Sequence, residues 1–151
     1  MDIHFNHERY EELRQTYRKW WAGELGRPIV PIITYNHNTD APAYTGPQFS
    51  YANAWNYDID PREFIECCHA QLSAYRWHGD AFPHIRTASF GPGVLAAFLG
   101  CTPVGTSQTV WFKSPYEDLP IEELHFEFDD QNPCYRRVEN LFEAAMEKWH
   151  G

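Results

Sequence analysis

The chain has 151 residues, 43% of them apolar and 17% aromatic, enough for one domain with a core of its own. A formal charge of −9 weighs against nucleic acid or an anionic membrane surface as a partner. No apolar run approaches the roughly 20 residues of a membrane span, and the opening stretch lacks both the basic and the apolar part of a secretory signal, so a cytoplasmic protein with reduced thiols is expected.

The first predicted element is a helix over His7–Trp21, in which Tyr10, Leu13, Tyr17 and Trp20/Trp21 recur at three- and four-residue steps. Gly23 and Gly26 end it and Pro28 prevents its return. Ile29–Tyr35 is a continuous apolar, β-branched run, the pattern of a strand covered on both faces. Pro31 lacks the ladder donor, so the ordered strand starts late or lies at an edge. From Asn36 to Tyr57 there is Asn, Gly and Pro punctuation with five aromatic rings and no period, as in a functional loop.

A second helix is predicted over Asp60–Trp77, with Asp60 as N-cap, Pro61 at the first helical position and a stripe of Phe64, Cys68, Leu72 and Tyr75/Arg76. Pro83–Phe90 reads as a short strand, Pro92–Gly100 as a short helix stopped by Gly100, and Thr109–Phe112 as another β fragment. Cys134–His150 is a last amphipathic helix, with Val138, Leu141, Phe142, Ala145, Met146 and Trp149 expected on its buried side.

This alternation belongs to the α/β class. It supplies three or four strands where a (β/α)8 barrel takes about 250 residues, so the chain reads as one domain forming the N-terminal part of such a barrel. Ile29–Tyr35 and His84–Ser89 are expected as neighbouring parallel strands joined through the Asp60–Trp77 helix, by the right-handed crossover rule.

Three stretches, Trp20–Ile32 (WWAGELGRPIVPI), Gly79–Cys101 (GDAFPHIRTASFGPGVLAAFLGC) and Thr109–Leu119 (TVWFKSPYEDL), resemble in order and spacing the N-terminal part of the uroporphyrinogen decarboxylase-like superfamily. That superfamily includes the decarboxylase itself and cobalamin-linked methyltransferases acting on thiols. The resemblance runs from about Tyr17 to Trp149 and covers less than half of a full member. It implies a (β/α)8 barrel with the ligand at the C-terminal ends of the strands.

The resemblance also implies a role for Asp80. In the decarboxylases a catalytic aspartate stands in a Ser-Asp-Ile-Leu segment, and GDAFP occupies that place here. A fixed carboxylate there would hold pyrrole N–H groups and favour the positive charge that develops as carbon dioxide leaves. Gly91 and Gly93 would let the backbone bend close to a ligand, with Pro92 stiffening the bend. The ordinary alternatives are that Asp80 is a turn residue and that Gly91-Pro92-Gly93 is a structural hinge.

The decarboxylases bind their many-carboxylate substrate with an arginine-rich stretch after the first strand, whereas no arginine stands between Arg27 and Arg62 here. The methyl-transfer branch is therefore favoured. Its corrinoid and zinc belong to a full-length member, whose His-x-Cys pair and later Cys lie in the second half, and no metal ligand is assigned to this chain. Glu66–Ala70 (ECCHA) does not match that motif, and neighbours on a helix point about 100° apart and do not converge on one ion.

Further candidate ligand-binding residues are Tyr35, His37 and Tyr44, with Asn36, Asn38 and Asp40, where barrel enzymes place site loops, and His84 and Arg86 on the expected strand. His125 reads as a surface or half-buried histidine. The chain is expected to bind a small-molecule or corrinoid ligand and to be inactive alone. Alternatively it is a non-catalytic truncated remnant, or one piece of a split barrel that binds a separate C-terminal piece. An uncovered strand edge and bare helix faces predict self-association or such a partner.

Overall fold

A computed structural model of the chain describes residues 2–35, 44–85 and 90–149. The described residues are mixed α and β: helices α1 (His7–Trp21), α2 (Tyr51–Ala54), α3 (Pro61–Ser73), α4 (Val94–Phe98) and α5 (Pro133–Trp149), and strands β1 (Pro31–Tyr35), β2 (Tyr75–Gly79), β3 (Thr102–Gly105) and β4 (Val110–Lys113). They fall into two compact units, each discontinuous in sequence: Met1–Tyr44 with Cys68–Ile85, and Thr45–Cys67 with Arg86–Gly151.

In the first unit α1 forms as its periodicity predicts. Asn6 caps it by accepting from the Arg9 amide at 2.8 Å. At the other end Gly23, with φ +74°, donates to the Trp20 carbonyl and Glu24 donates to that of Lys19. These two bonds make a Schellman stop, which needs the left-handed residue that glycine supplies.

Strand β1 pairs antiparallel with β2, in the register Pro31 with Gly79, Ile33 with Trp77 and Tyr35 with Tyr75. This corrects the expected architecture. The partner of β1 is not a parallel strand at His84–Ser89: Pro83–Ile85 is irregular and 86–89 lies outside the described residues. Among the described residues both sheets are two-stranded and antiparallel, so the parallel strands of a (β/α)8 barrel are not seen.

The reason is local. Helix α3 ends at Ser73, not Trp77. The Ser73 hydroxyl donates back to the His69 carbonyl, and the Arg76 guanidinium donates to the Ser73 and Tyr75 carbonyls. After Ala74, the stretch Tyr75–His78 includes the aromatic types that favour a pleated strand. Strand β1 also departs from the two-face burial expected, since Ile32 is 49% and Ile33 41% exposed. Pro31 occupies the first strand position of an edge strand, where a missing donor is tolerated.

The second unit is built around Trp55, whose indole N–H donates to the Phe90 carbonyl at 3.0 Å and whose ring meets those of Phe90 and Phe112 edge-on. Asp60 caps α3 by accepting from the Arg62 amide at 2.8 Å. Helix α5 buries Cys134, Arg137, Leu141, Ala144 and Ala145. Phe142 and Met146, expected inside, are exposed, and Val138 and Trp149 are half-buried. The buried stripe is thus shifted round the helix toward Arg137, whose guanidinium donates to the Ala54 and Ile59 carbonyls. An arginine that satisfies backbone carbonyls can be buried where an unpaired one cannot.

Strands β3 and β4 form a hairpin, Thr102 opposite Lys113 and Gly105 opposite Val110. The expected β fragment at Thr109–Phe112 is its second strand. Gly91 has φ +85°, and a Cβ there would collide with the Val110 side chain; one on Gly93 would collide with the Phe112 ring. These two glycines are required by packing within this unit. Gly91→Ala is therefore expected to lower the unfolding free energy by about 2 kcal/mol or more. Gly26→Ala, which faces open space, should change it by less than about 0.5 kcal/mol. Urea unfolding midpoints of the two variants check the contrast.

Candidate functional site

Asp80 follows the last residue of β2, and Val30 precedes the first of β1. Gly79, at φ +57°, makes the turn into Asp80, and a Cβ on it would strike the Val30 carbonyl oxygen. At this end the backbone pairing is continued by a side chain. The Asp80 amide donates to the Val30 carbonyl at 3.0 Å, while the Val30 amide donates to Asp80 Oδ2 at 2.8 Å.

The same carboxylate takes a two-pronged ion pair from Arg27, Nη1 to Oδ2 at 2.6 Å and Nη2 to Oδ1 at 2.8 Å. Parallel N–H···O bonds of this kind fix geometry as well as charge. The Arg27 side chain is 51% exposed and the Asp80 side chain only 4%. Tyr17 Oη, from α1, donates to the Asp80 carbonyl at 3.0 Å. Arg9 Nη2, also from α1, donates to the Gly79 carbonyl. Asp80 thus anchors α1, the segment entering β1 and the end of β2.

The Arg27 hydrogen bonds, helped by the Val30 amide and outweighing the cost of burial, hold the Asp80 carboxyl at about pH 2, below its ordinary value of 3.8. The Tyr17 phenol is shifted up, first by burial and then by the Asp80 charge. Both oxygens of Asp80 are therefore occupied by protein donors. With Arg27 and the Val30 amide on its oxygens, the aspartate in this arrangement positions backbone.

The other expected residues that the structure describes make contacts of their own. Tyr35 stands at the far end of the β1–β2 ribbon, five residues from Val30, which is about 17 Å of strand. Its ring packs edge-on to Tyr75, which in turn meets Trp77. Tyr44 is half-buried. His84 is exposed, with its ring against Phe82 and Nδ1 3.1 Å from the Phe82 carbonyl. Gly91 and Gly93 belong to the second unit and pack on Val110 and Phe112. His37 and Arg86, with Asn36, Asn38 and Asp40, lie outside the described residues. His125 is exposed.

In the ECCHA stretch, Cys67 and Cys68 are buried, and burial pushes the Cys67 thiol up to about 11, far from the thiolate that binds metal or attacks. Among the described residues no three His, Cys, Asp or Glu side chains converge as a metal site, and no helix is long and apolar enough to cross a membrane. Sequence reasoning singled out neither Arg27 nor Tyr17 as a partner of Asp80. The Arg27-Pro28 pair before a β-branched run was the one available signal, and its partner lies 53 residues away. Comparisons with protein-family models, curated proteins and solved structures return no match.

A depressed carboxyl contributes stability that is fully present above its unfolded value, near 4, and is lost as pH falls through the folded value near 2. Because Arg27 is half in water and screens the pair, the Asp80 pair is expected to contribute about 1 kcal/mol at neutral pH. Asp80→Asn should cost about that amount at pH 7 and much less at pH 2. Urea unfolding of both proteins from pH 7 to pH 2 measures the converging difference.

Proposed function

We propose that the chain is the N-terminal portion of a uroporphyrinogen decarboxylase-like protein of the corrinoid-linked methyl-transfer branch. The observation that supports this reading is the interlocking of the three stretches that carry the resemblance. Arg27 of the first grips Asp80 of the second, and Gly91 and Gly93 of the second fit under Val110 and Phe112 of the third. Their order and spacing thus answer to contacts within each unit.

On this reading Asp80 and the Gly-Pro-Gly bend serve mainly to build the scaffold. Chemistry on a thiol needs a group that lowers the thiol's pKa, which zinc does in this branch. The His-x-Cys pair that would hold it does not occur among these 151 residues. The chain therefore contributes scaffold and ligand wall, and the thiol-activating half comes from other residues, in the same polypeptide or a partner. Purified alone, the 151 residues should show no zinc-dependent methyl transfer from methylcobalamin to a thiol. They should bind hydroxocobalamin at most weakly, read by tryptophan quenching. Transfer by the chain alone would overturn this division of labour. No transfer on adding a family C-terminal half would count against the branch assignment.

A specific observation favours a covering partner. Val30, Ile32, Ile33 and Tyr35 of the β1 region are all exposed, on both faces of an edge strand. Such an edge is a template for further pairing. Sedimentation velocity should show concentration-dependent association of the isolated chain, reduced by Ile33→Lys. A monomer at every concentration, indifferent to that change, would contradict it.

A further inference from the structure

The first unit contains an open cleft of about 280 Å³ along one face of α1, lined by Tyr10, Leu13, Arg14, Tyr17, Arg18 and Trp21, with Phe82 opposite. Phe82 meets the Tyr17 ring edge-on at 5.5 Å and the Tyr10 ring at 6.5 Å. Tyr17 is held in place by its bond to the Asp80 carbonyl, so its polar end is satisfied and its ring faces are left for packing. Leu13 is buried. The walls are therefore apolar and largely aromatic.

Charge is distributed unequally along the rim. Arg14 is neutralised by Glu11, whose two oxygens lie 3.1 and 3.2 Å from its Nη1. The Arg18 side chain has neither an ion pair nor a hydrogen bond among the described residues. Of the two arginines that line the cleft, Arg18 is thus the one left uncompensated among the described residues.

We infer that this cleft is a binding site for a small amphipathic carboxylate, its apolar body on the aromatic wall made by Phe82, Tyr17 and Trp21 and its anionic end on Arg18. An apolar pocket with a few placed polar groups is the usual form of a small-molecule site. The volume sits just below the roughly 300–1,000 Å³ range of drug-sized sites, which limits the body to about one ring. Planar guanidinium suits a carboxylate better than an ammonium point charge does. The inference is independent of the corrinoid-linked reading, since it concerns a different set of residues and a different ligand.

The test uses the full chain with 3-phenylpropionate and its neutral isostere 3-phenylpropanamide, followed by amide and indole chemical shifts. A one-ring ligand is expected to bind in the region of about 1 mM. The acid should shift residues 10–21 and the Trp21 indole and bind at least about fivefold tighter than the amide, as a charge-assisted bond requires. Arg18→Gln should remove that preference and leave amide binding as it was. Trp21→Ala, at an exposed position, should weaken both ligands. Equal binding of acid and amide, a preference that survives Arg18→Gln, or shifts elsewhere would overturn the inference. So would no binding of the acid at about 10 mM, tenfold above the expected constant.

Discussion

The ion pair between Arg27 and Asp80 is the interaction on which the first unit depends, because it does in side chains what a longer sheet would do in backbone. A two-stranded ribbon is marginal by itself. Here β1 opens on a proline and both strands are edges, so the ladder has little of its own to hold it. The carboxylate supplies an acceptor for the Val30 amide, and the guanidinium, half in water, neutralises the buried charge. The Tyr17 and Arg9 bonds then tie α1 to the same corner. Removing either charge leaves the other without its partner, and a carboxylate left alone in a buried place is costly.

The second unit is held by different means. It relies on close approach, with Gly91 and Gly93 admitting Val110 and Phe112, and on polar groups that satisfy carbonyls from within the core. Trp55 and Arg137 each donate to backbone at buried positions, and Asn132 caps α5 by accepting from the Cys134 amide while its own amide group donates to the Ala97 and Phe98 carbonyls. A buried donor with a partner orders its neighbours, whereas one without a partner destabilises. Trp77 Nε1 is the one buried side-chain polar atom without a partner among the described residues.

Local signals in the sequence were legible. The periodicity and glycine stop of α1, the Asp60 cap of α3 and the Gly100 stop after α4 all follow from backbone preferences of a few adjacent residues. What local pattern could not show was pairing across distance. Tyr75–Gly79 continues the apolar stripe of α3 well enough to pass for helix, and only its ladder with β1, some 40 residues earlier, makes it a strand. Asp80 stood out as a candidate for chemistry because a lone carboxylate before an apolar run looks uncommitted. Its commitment to Arg27 is a tertiary fact. The exposure of Ile32 and Ile33 likewise could not be read from a run of apolar residues whose composition argues for burial.

The most direct test is hydrogen exchange of the β1 and β2 amides in the wild-type chain, in Arg27→Gln, in Asp80→Asn and in the double variant at neutral pH. If the clamp holds the ribbon, each single change should speed exchange of the Val30 and Asp80 amides and of the β1–β2 ladder. The double variant should then cost clearly less than the sum of the two, because the second change removes an interaction already lost. Additive effects, or ladder amides that exchange at the wild-type rate in all three variants, would contradict it.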